Sequence, residues 1–312
     1  MSANVESMFY VGRTTPWHGL GISVEEAPAS VDALRLAGLD WKVEQRKIYT
    51  SEGNLVENFM ANIRSTDQRV LGVVSDKYQV VQNDEAFAFT DALLGEGVRY
   101  ETAGSLSDGK LIWLLAKLPE KYIINGDEIT PYLVFFNSHD GSSAIRVALT
   151  PVRVVCQNTL NLALSAAKRS WGIKHVGDID SKLHEAQQTL FMSEKYMAEL
   201  GKSMYQLDKI NLSEVKVQSF VNEMFPVTAD MSNQQIQNAK RLQKELKHRY
   251  FEAPDLQHVG KNGYRFVNAV SDMVTHGRPL RETKNFQENM FRRTAEGHPM
   301  IDKAYKMVLA AA

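Results

Sequence analysis

The sequence predicts an α+β fold: an antiparallel β-meander sheet backed by helices, followed by a mostly α-helical C-terminal part. Three observations predict it. Residues 41–74 hold three strand-length segments joined by short turns. Further short strand patterns follow as far as residue 155, too many and too short for a parallel α/β core. From residue 181 the apolar spacing becomes helical. A chain of 312 residues exceeds what one core needs, so two domains are expected, an α+β domain at 1–175 and a helical domain at 176–312.

The elements follow in order. Residues 30–37 read as a short helix with Ser30 as N-cap and Gly38 as its stop. Residues 41–50, 57–65 and 70–74 read as the meander, turned at 51–54 and at Asp67-Gln68. Asn83-Asp84-Glu85 opens a helix to about Leu94, its acidic residues suited to the positive end of the helix dipole. Strands 99–106 and 110–117 flank the turn Ser107-Asp108-Gly109. Strands 132–136 and 144–149 flank the loop 137–142, and 152–155 extends the sheet before a helix at 157–167 that Asn158 is expected to cap. Helices are then expected at 181–202, 213–225, 232–250, 261–276 and 298–311, with Pro226, Pro254 and Pro279 as stops between them.

Composition narrows the function classes. With 44% hydrophobic residues, 19 Gly and 9 Pro, a collagen-like or disordered chain is excluded. Net charge is −1, but it is divided: residues 1–170 carry −4 and residues 171–312 carry +3. One cysteine rules out an intramolecular disulfide and a Cys-rich zinc site. Residues 1–10 lack the basic start and apolar run of a signal peptide, and no apolar stretch approaches the roughly 20 residues of a membrane span. A protein of the bacterial cytoplasm, without membrane contact, is expected.

Catalytic motifs are sparse. Cys156 near Arg153 has the makings of a low-pKa thiolate, but no His lies nearby in sequence to serve as base, and a buried structural thiol is the expected reading. His139-Asp140-Gly141 offers an acid/base or metal-ligand pair; adjacent residues seldom converge on one centre, and hairpin-turn chemistry is expected instead. Neither a G-x-x-x-x-G-K-[ST] nor a G-x-G-x-x-G phosphate loop occurs. No cofactor, no metal and no enzymatic activity are expected.

Basic residues carry the stronger signal. Arg46, Lys47, Arg64, Arg69 and Lys77 lie on or beside the meander strands, Arg146 and Arg153 on the strands that follow, and Lys168-Arg169 ahead of Trp171. Any one of them alone reads as a solvated surface charge. Together they are expected to line a groove for a phosphate backbone, with Trp171 as a stacking platform and only one of Arg46 and Lys47 facing it. A second cluster, 239–249, places Lys240, Lys244 and Lys247 on one helix face, with five cations against one anion.

Two resemblances enter at this point. The strings HDGSSAIRV (139–147) and TPVRVVCQNTL (150–160), with WHGLG (17–21) near the start and Asn268-Ala269-Val270 and Thr275-His276 near the end, resemble the phage/plasmid-like family of unknown function. That resemblance implies a mobile-element origin and supplies no catalytic residues. The order helix, Gly-x-x-Trp step (Gly38 to Trp41), three-stranded meander and helix is similar in topology to single-strand annealing recombinases, which form rings around single-stranded DNA without ATP. That similarity implies binding and annealing of single-stranded DNA in phage recombination by a homo-oligomer. The alternative expectation is a phage-encoded interaction protein that inhibits a host defence or repair factor.

Overall fold

The computed structural model describes residues 5–12, 21–95, 98–118, 121–153, 158–159, 170–178, 181, 185, 193–277 and 297–311. Cys156, Lys168, Arg169, Trp17, His18, Pro279 and the helix expected at 157–167 beyond Thr159 lie outside them. The chain divides into two compact units that interleave in sequence: Met1–Pro119, Tyr132–Leu149 and Arg169–Met192 form one, and Glu120–Pro131, Thr150–Lys168 and Ser193–Ala312 the other. The content is α+β, with antiparallel sheets first and helices dominating the C-terminal part.

In the first unit, strands β1 (Val5–Val11), β2 (Ile22–Val24), β6 (Arg99–Leu106), β7 (Leu111–Lys117), β9 (Asp127–Ser138, from Tyr132 on), β10 (Ile145–Arg153, as far as Leu149) and β12 (Ser170–Ile173) build the larger sheet. Its order is β2-β1-β6-β7-β9-β10, with β12 also on β10. All of the registered pairs in it are antiparallel except β1–β2, which is parallel. The strands expected at 144–149 and 152–155 are one strand, β10, which runs through Pro151. Helices α1 (Ser30–Leu36) and α2 (Asn83–Leu94) lie against it, and Phe9, Leu39, Tyr100, Ile112, Leu114 and Phe135 fill the core. Ser30 is not the cap of α1: Ala29 takes that position, and the Ser30 hydroxyl donates to the Asp91 carboxylate instead.

The meander is a separate three-stranded sheet, β3 (Val43–Tyr49), β4 (Leu55–Arg64) and β5 (Val70–Ser75), in the order β3-β4-β5. Its inner face rests on the loop after β9. The Asn62 amide donates to the His139 carbonyl at 2.7 Å. A Cβ on Gly72 would stand 2.5 Å from the Asp140 Cα, so only glycine permits the approach.

In the second unit, β8 (Tyr122–Ile124) pairs with the start of β9 across Asn125 and Gly126, both at positive φ (51° and 82°) as a tight hairpin turn requires. The pair β11 (Asn158–Thr159) and the end of β10 places Asn158 opposite Arg153. Around these stand α3 (Ser193–Lys209), α4 (Glu214–Met224), α5 (Asn233–Glu252), a 3-10 turn (Pro254–Leu256), α6 (Gly263–His276) and α7 (Pro299–Leu309). Helix α6 is the hub. It touches α3, α5 and α7, and every residue from Gly263 to Ser271 is buried. Side-chain caps set the helix starts: Ser213 accepts from Lys216 N–H, and Asn262 accepts from Arg265 N–H. No helix among the described residues is long and apolar enough to cross a membrane.

Candidate nucleic-acid interface

Helix α5 starts at a reciprocal capping box. The Ser232 hydroxyl accepts from Gln235 N–H and the Gln235 side chain accepts from Ser232 N–H, so two otherwise orphaned amides are satisfied. Its burial is confined to the C-terminal half: Leu246 and Tyr250 enter the core, and none of residues 233–245 is buried. Steps of four and three place Asn233, Gln237, Lys240, Lys244 and Lys247 in one row, because their mean spacing of about 3.5 nearly matches the helical repeat. At about 1.5 Å per residue that row is about 21 Å long.

Most of the helix's cations are free. Arg249 is taken by Asp272 and by Glu245 (3.0 Å), and His248 by Glu252 (3.0 Å). Lys240, Arg241 and Lys244 are exposed and Lys247 is half-buried, and none of the four has an ion-pair partner among the described residues.

The meander cations are placed otherwise. Arg64 is 6% exposed. Its guanidinium holds Asp67 through two hydrogen bonds (2.9 and 2.7 Å), reaches Glu6 at 2.8 Å, and lies 5.4 Å from the Trp41 ring centre. The hydrogen bonds to Asp67 and Glu6 raise its pKa further, and the same pairing holds the Asp67 carboxyl well below the usual carboxylate range. Arg69 is shared among Asp108 (3.1 Å), Asp67 (3.5 Å) and Glu6 (4.0 Å). Arg46 pairs with Glu44 at 2.5 Å. Of the expected groove, only Lys47 and Lys77 are exposed without an ion pair among the described residues. Strand β3 places Lys47 on the face opposite Arg46, as expected from alternation. Arg146 is exposed on β10, its register partner Gly172 lying next to Trp171, which is half-buried on β12. Arg153 takes part through its backbone in the β10–β11 ladder.

The loop from His139 joins the neighbouring strands β9 and β10 with the expected Asp-Gly turn chemistry, Asp140 Oδ1 accepting from Ser142 N–H at 2.9 Å and Gly141 at φ 75°, but His139 itself points inward. It is fully buried, with Nε2 2.9 Å from Asn83 Oδ1 and its ring edge-on to Trp41. Burial, reinforced by the neighbouring His175, pushes its pKa down to about 3, so it is neutral at ordinary pH. His175 stacks on Tyr78 with ring centres 4.4 Å apart, and burial lowers its pKa as well, against the effect of its hydrogen bond to the Gln79 carbonyl. Both imidazoles are closed to solvent. A cluster that sequence reading missed lies in the second unit: the buried Asp127 carboxylate accepts from the Tyr264 hydroxyl at 2.6 Å and pairs with His258 Nε2 at 3.1 Å. Asp127 lies more than 100 positions from both partners, and no local pattern links it to them. The Asn125-Gly126 turn, by contrast, was a readable hairpin signal. No group of three or more His, Cys, Asp or Glu side chains among the described residues is arranged to hold a metal.

These features define an α+β protein with a neutralised β-meander and a long, one-sided cationic helix. The chain belongs to the family described as Domain of unknown function (DUF932), whose model matches residues 70–295. No curated protein and no solved structure matches it.

Proposed function

We propose that this protein binds nucleic acid without catalysing a reaction on it, and that it anneals complementary single strands in phage or mobile-element recombination as an ATP-independent homo-oligomer in the bacterial cytoplasm. The observation that carries the reading is the set of cations on α5 without an ion-pair partner among the described residues, Lys240, Lys244 and Lys247 in the row and Arg241 beside it. Paired arginines on the meander release few counterions, because their charge is already met by carboxylates; unpaired ones on α5 release them on meeting phosphate. The annealing role and the oligomer rest on the similarity of the meander topology to annealing recombinases. The test is binding of a labelled single-stranded oligonucleotide across a salt series. Replacing the four α5 cations by Ala should flatten the dependence of log K on log salt by about 3, at roughly 0.7 for each phosphate no longer neutralised. An unchanged slope with unchanged affinity overturns the reading.

A second reading, an interaction protein that inhibits a host defence or repair factor, is favoured by one observation. The outer face of the meander exposes Phe59, Val70 and Val73 at 48%, 53% and 57%. Monomeric proteins seldom leave such a face bare. On that reading the α5 variant loses nothing, and Val73→Asp abolishes the inhibitory activity.

A further inference from the structure

We infer that helix α5 enters the major groove of a DNA duplex, with Asn233 and Gln237 against base edges and Lys240, Lys244 and Lys247 toward the phosphates. This rests on the nucleic-acid reading above and narrows its ligand: α5 holds the annealed product in preference to the separate strands.

Four features of the helix carry the inference. First, its clearance: one side of the stretch before Leu246 is half-buried, with Gln243 donating to the Phe225 carbonyl at 2.7 Å, while Asn233, Gln237, Lys240 and Lys244 are exposed, so that face is open to a ligand. An α-helix about 10–12 Å across fits the roughly 12 Å major groove of B-form DNA, whereas the major groove of A-form RNA is too narrow to admit it. Second, its amides are divided. Gln234 is tied to Asn238 at 3.2 Å, and Gln235 to the Ser232 cap. Asn233 and Gln237, the two in line with the lysines, have no side-chain partner among the described residues. A free carboxamide offers the donor–acceptor pair that matches adenine N7 and N6. Third, the order along the helix is consistent with a groove: amides lie at the N-terminal end and cations follow, so one row reads bases first and phosphates beyond. Fourth, the row from 233 to 247 contains no aromatic residue. Sequence-tolerant capture of single strands depends on aromatic stacking, which this face does not offer. The aromatic that continues the row, Phe251, is half-buried and has the Lys261 ammonium 5.6 Å from its ring centre.

The experiment uses the full chain and three labelled probes: a random-sequence DNA duplex, the corresponding single strands, and an RNA duplex of equal length. The wild type is expected to bind the DNA duplex tightest, and repeated selection from the random pool is expected to enrich adenine-containing steps. The double variant Asn233→Ala/Gln237→Ala, altered only at exposed positions, should lose that enrichment, with preference for the selected site falling about tenfold or more, while its salt slope stays at the wild-type value. Single strands bound as tightly as duplex, a selection that enriches nothing, or enrichment that survives the double variant would each overturn the groove assignment. The broader reading fails on a different observation: Lys240→Ala/Lys244→Ala/Lys247→Ala with a wild-type salt slope on all three probes.

Discussion

The meander and helix α5 carry the same kinds of side chain and put them to opposite uses. In the meander, Arg64 and Arg69 share Glu6, Asp67 and Asp108, so five charges nearly cancel within one patch. On α5, Lys240, Arg241 and Lys244 are exposed and Lys247 half-buried, with no carboxylate paired to them among the described residues. The difference teaches that a cation's availability depends on acids brought in from elsewhere. Arg64 meets Glu6 across 58 residues of chain, from a strand on another sheet. Along its free face a helix offers a side chain its neighbours at three and four residues, and none of those of Lys240, Lys244 and Lys247 is acidic: they are amides, basic residues, Ile236, Tyr250 and Phe251.

If the contrast is sound, removing a meander arginine should harm folding and not binding. Arg64→Ala leaves Glu6 and Asp67 with only the longer contacts to Arg69 and Trp41 without its cover, and should lower unfolding free energy by about 3 kcal/mol. Urea midpoints measure this. Wild-type stability in that variant would mean that the pair is idle, and the comparison would collapse.

Acid should separate the regions as well. His139 is neutral in the folded protein down to pH about 3, whereas in the unfolded chain it has an ordinary value near 6.5. Below about pH 6.5 the unfolded state therefore binds a proton that the native state refuses. Stability is complete above that pH and declines as pH falls toward 3, by about 1.4 kcal/mol per pH unit for each such histidine, and His175 adds in the same direction. His139→Gln should show a shallower loss between pH 6 and 4 in denaturant titrations; an identical slope would remove His139 from the account.

The smallest effect sharpens the comparison from the helix side. Ser232→Ala removes one half of the capping box and should cost about 1 kcal/mol. Because the first turns of α5 have no buried anchor, that loss should appear there as faster amide exchange, with α6 unaffected. Uniform protection across both helices would show that α5 is held by more than its cap.

Much of this architecture was legible in the chain. The bounds of α2, the hairpin β6–β7 and the starts of α4, α5 and α6 are set by local chemistry: an acidic first turn, a Ser-Asp-Gly turn, Ser or Asn caps. The cationic row of α5 was likewise legible, because helical periodicity is a local property. Strands β1, β2 and β12 were not, since each is defined by its pairing partner more than by its own alternation. The expected groove was illegible for the same reason as Arg64's partners. A set of basic residues on neighbouring strands says nothing of the acids that β1 and the β6–β7 turn bring to them.

The close seat of Gly72 on Asp140 has a consequence for anyone who cuts the chain. The stretch shared with the family begins at Val70, the first residue of β5. Among the described residues the sheet neighbour of β5 is β4 alone, which lies before that point. A fragment cut there keeps the glycine and its seat but strips the strand that completes the ladder, leaving a bare edge with Val70 and Val73 already turned outward. Such an edge recruits strands from other molecules. As a unit of expression, the shared stretch alone is expected to aggregate, and extending it back to residue 43 restores the partner strand of β5.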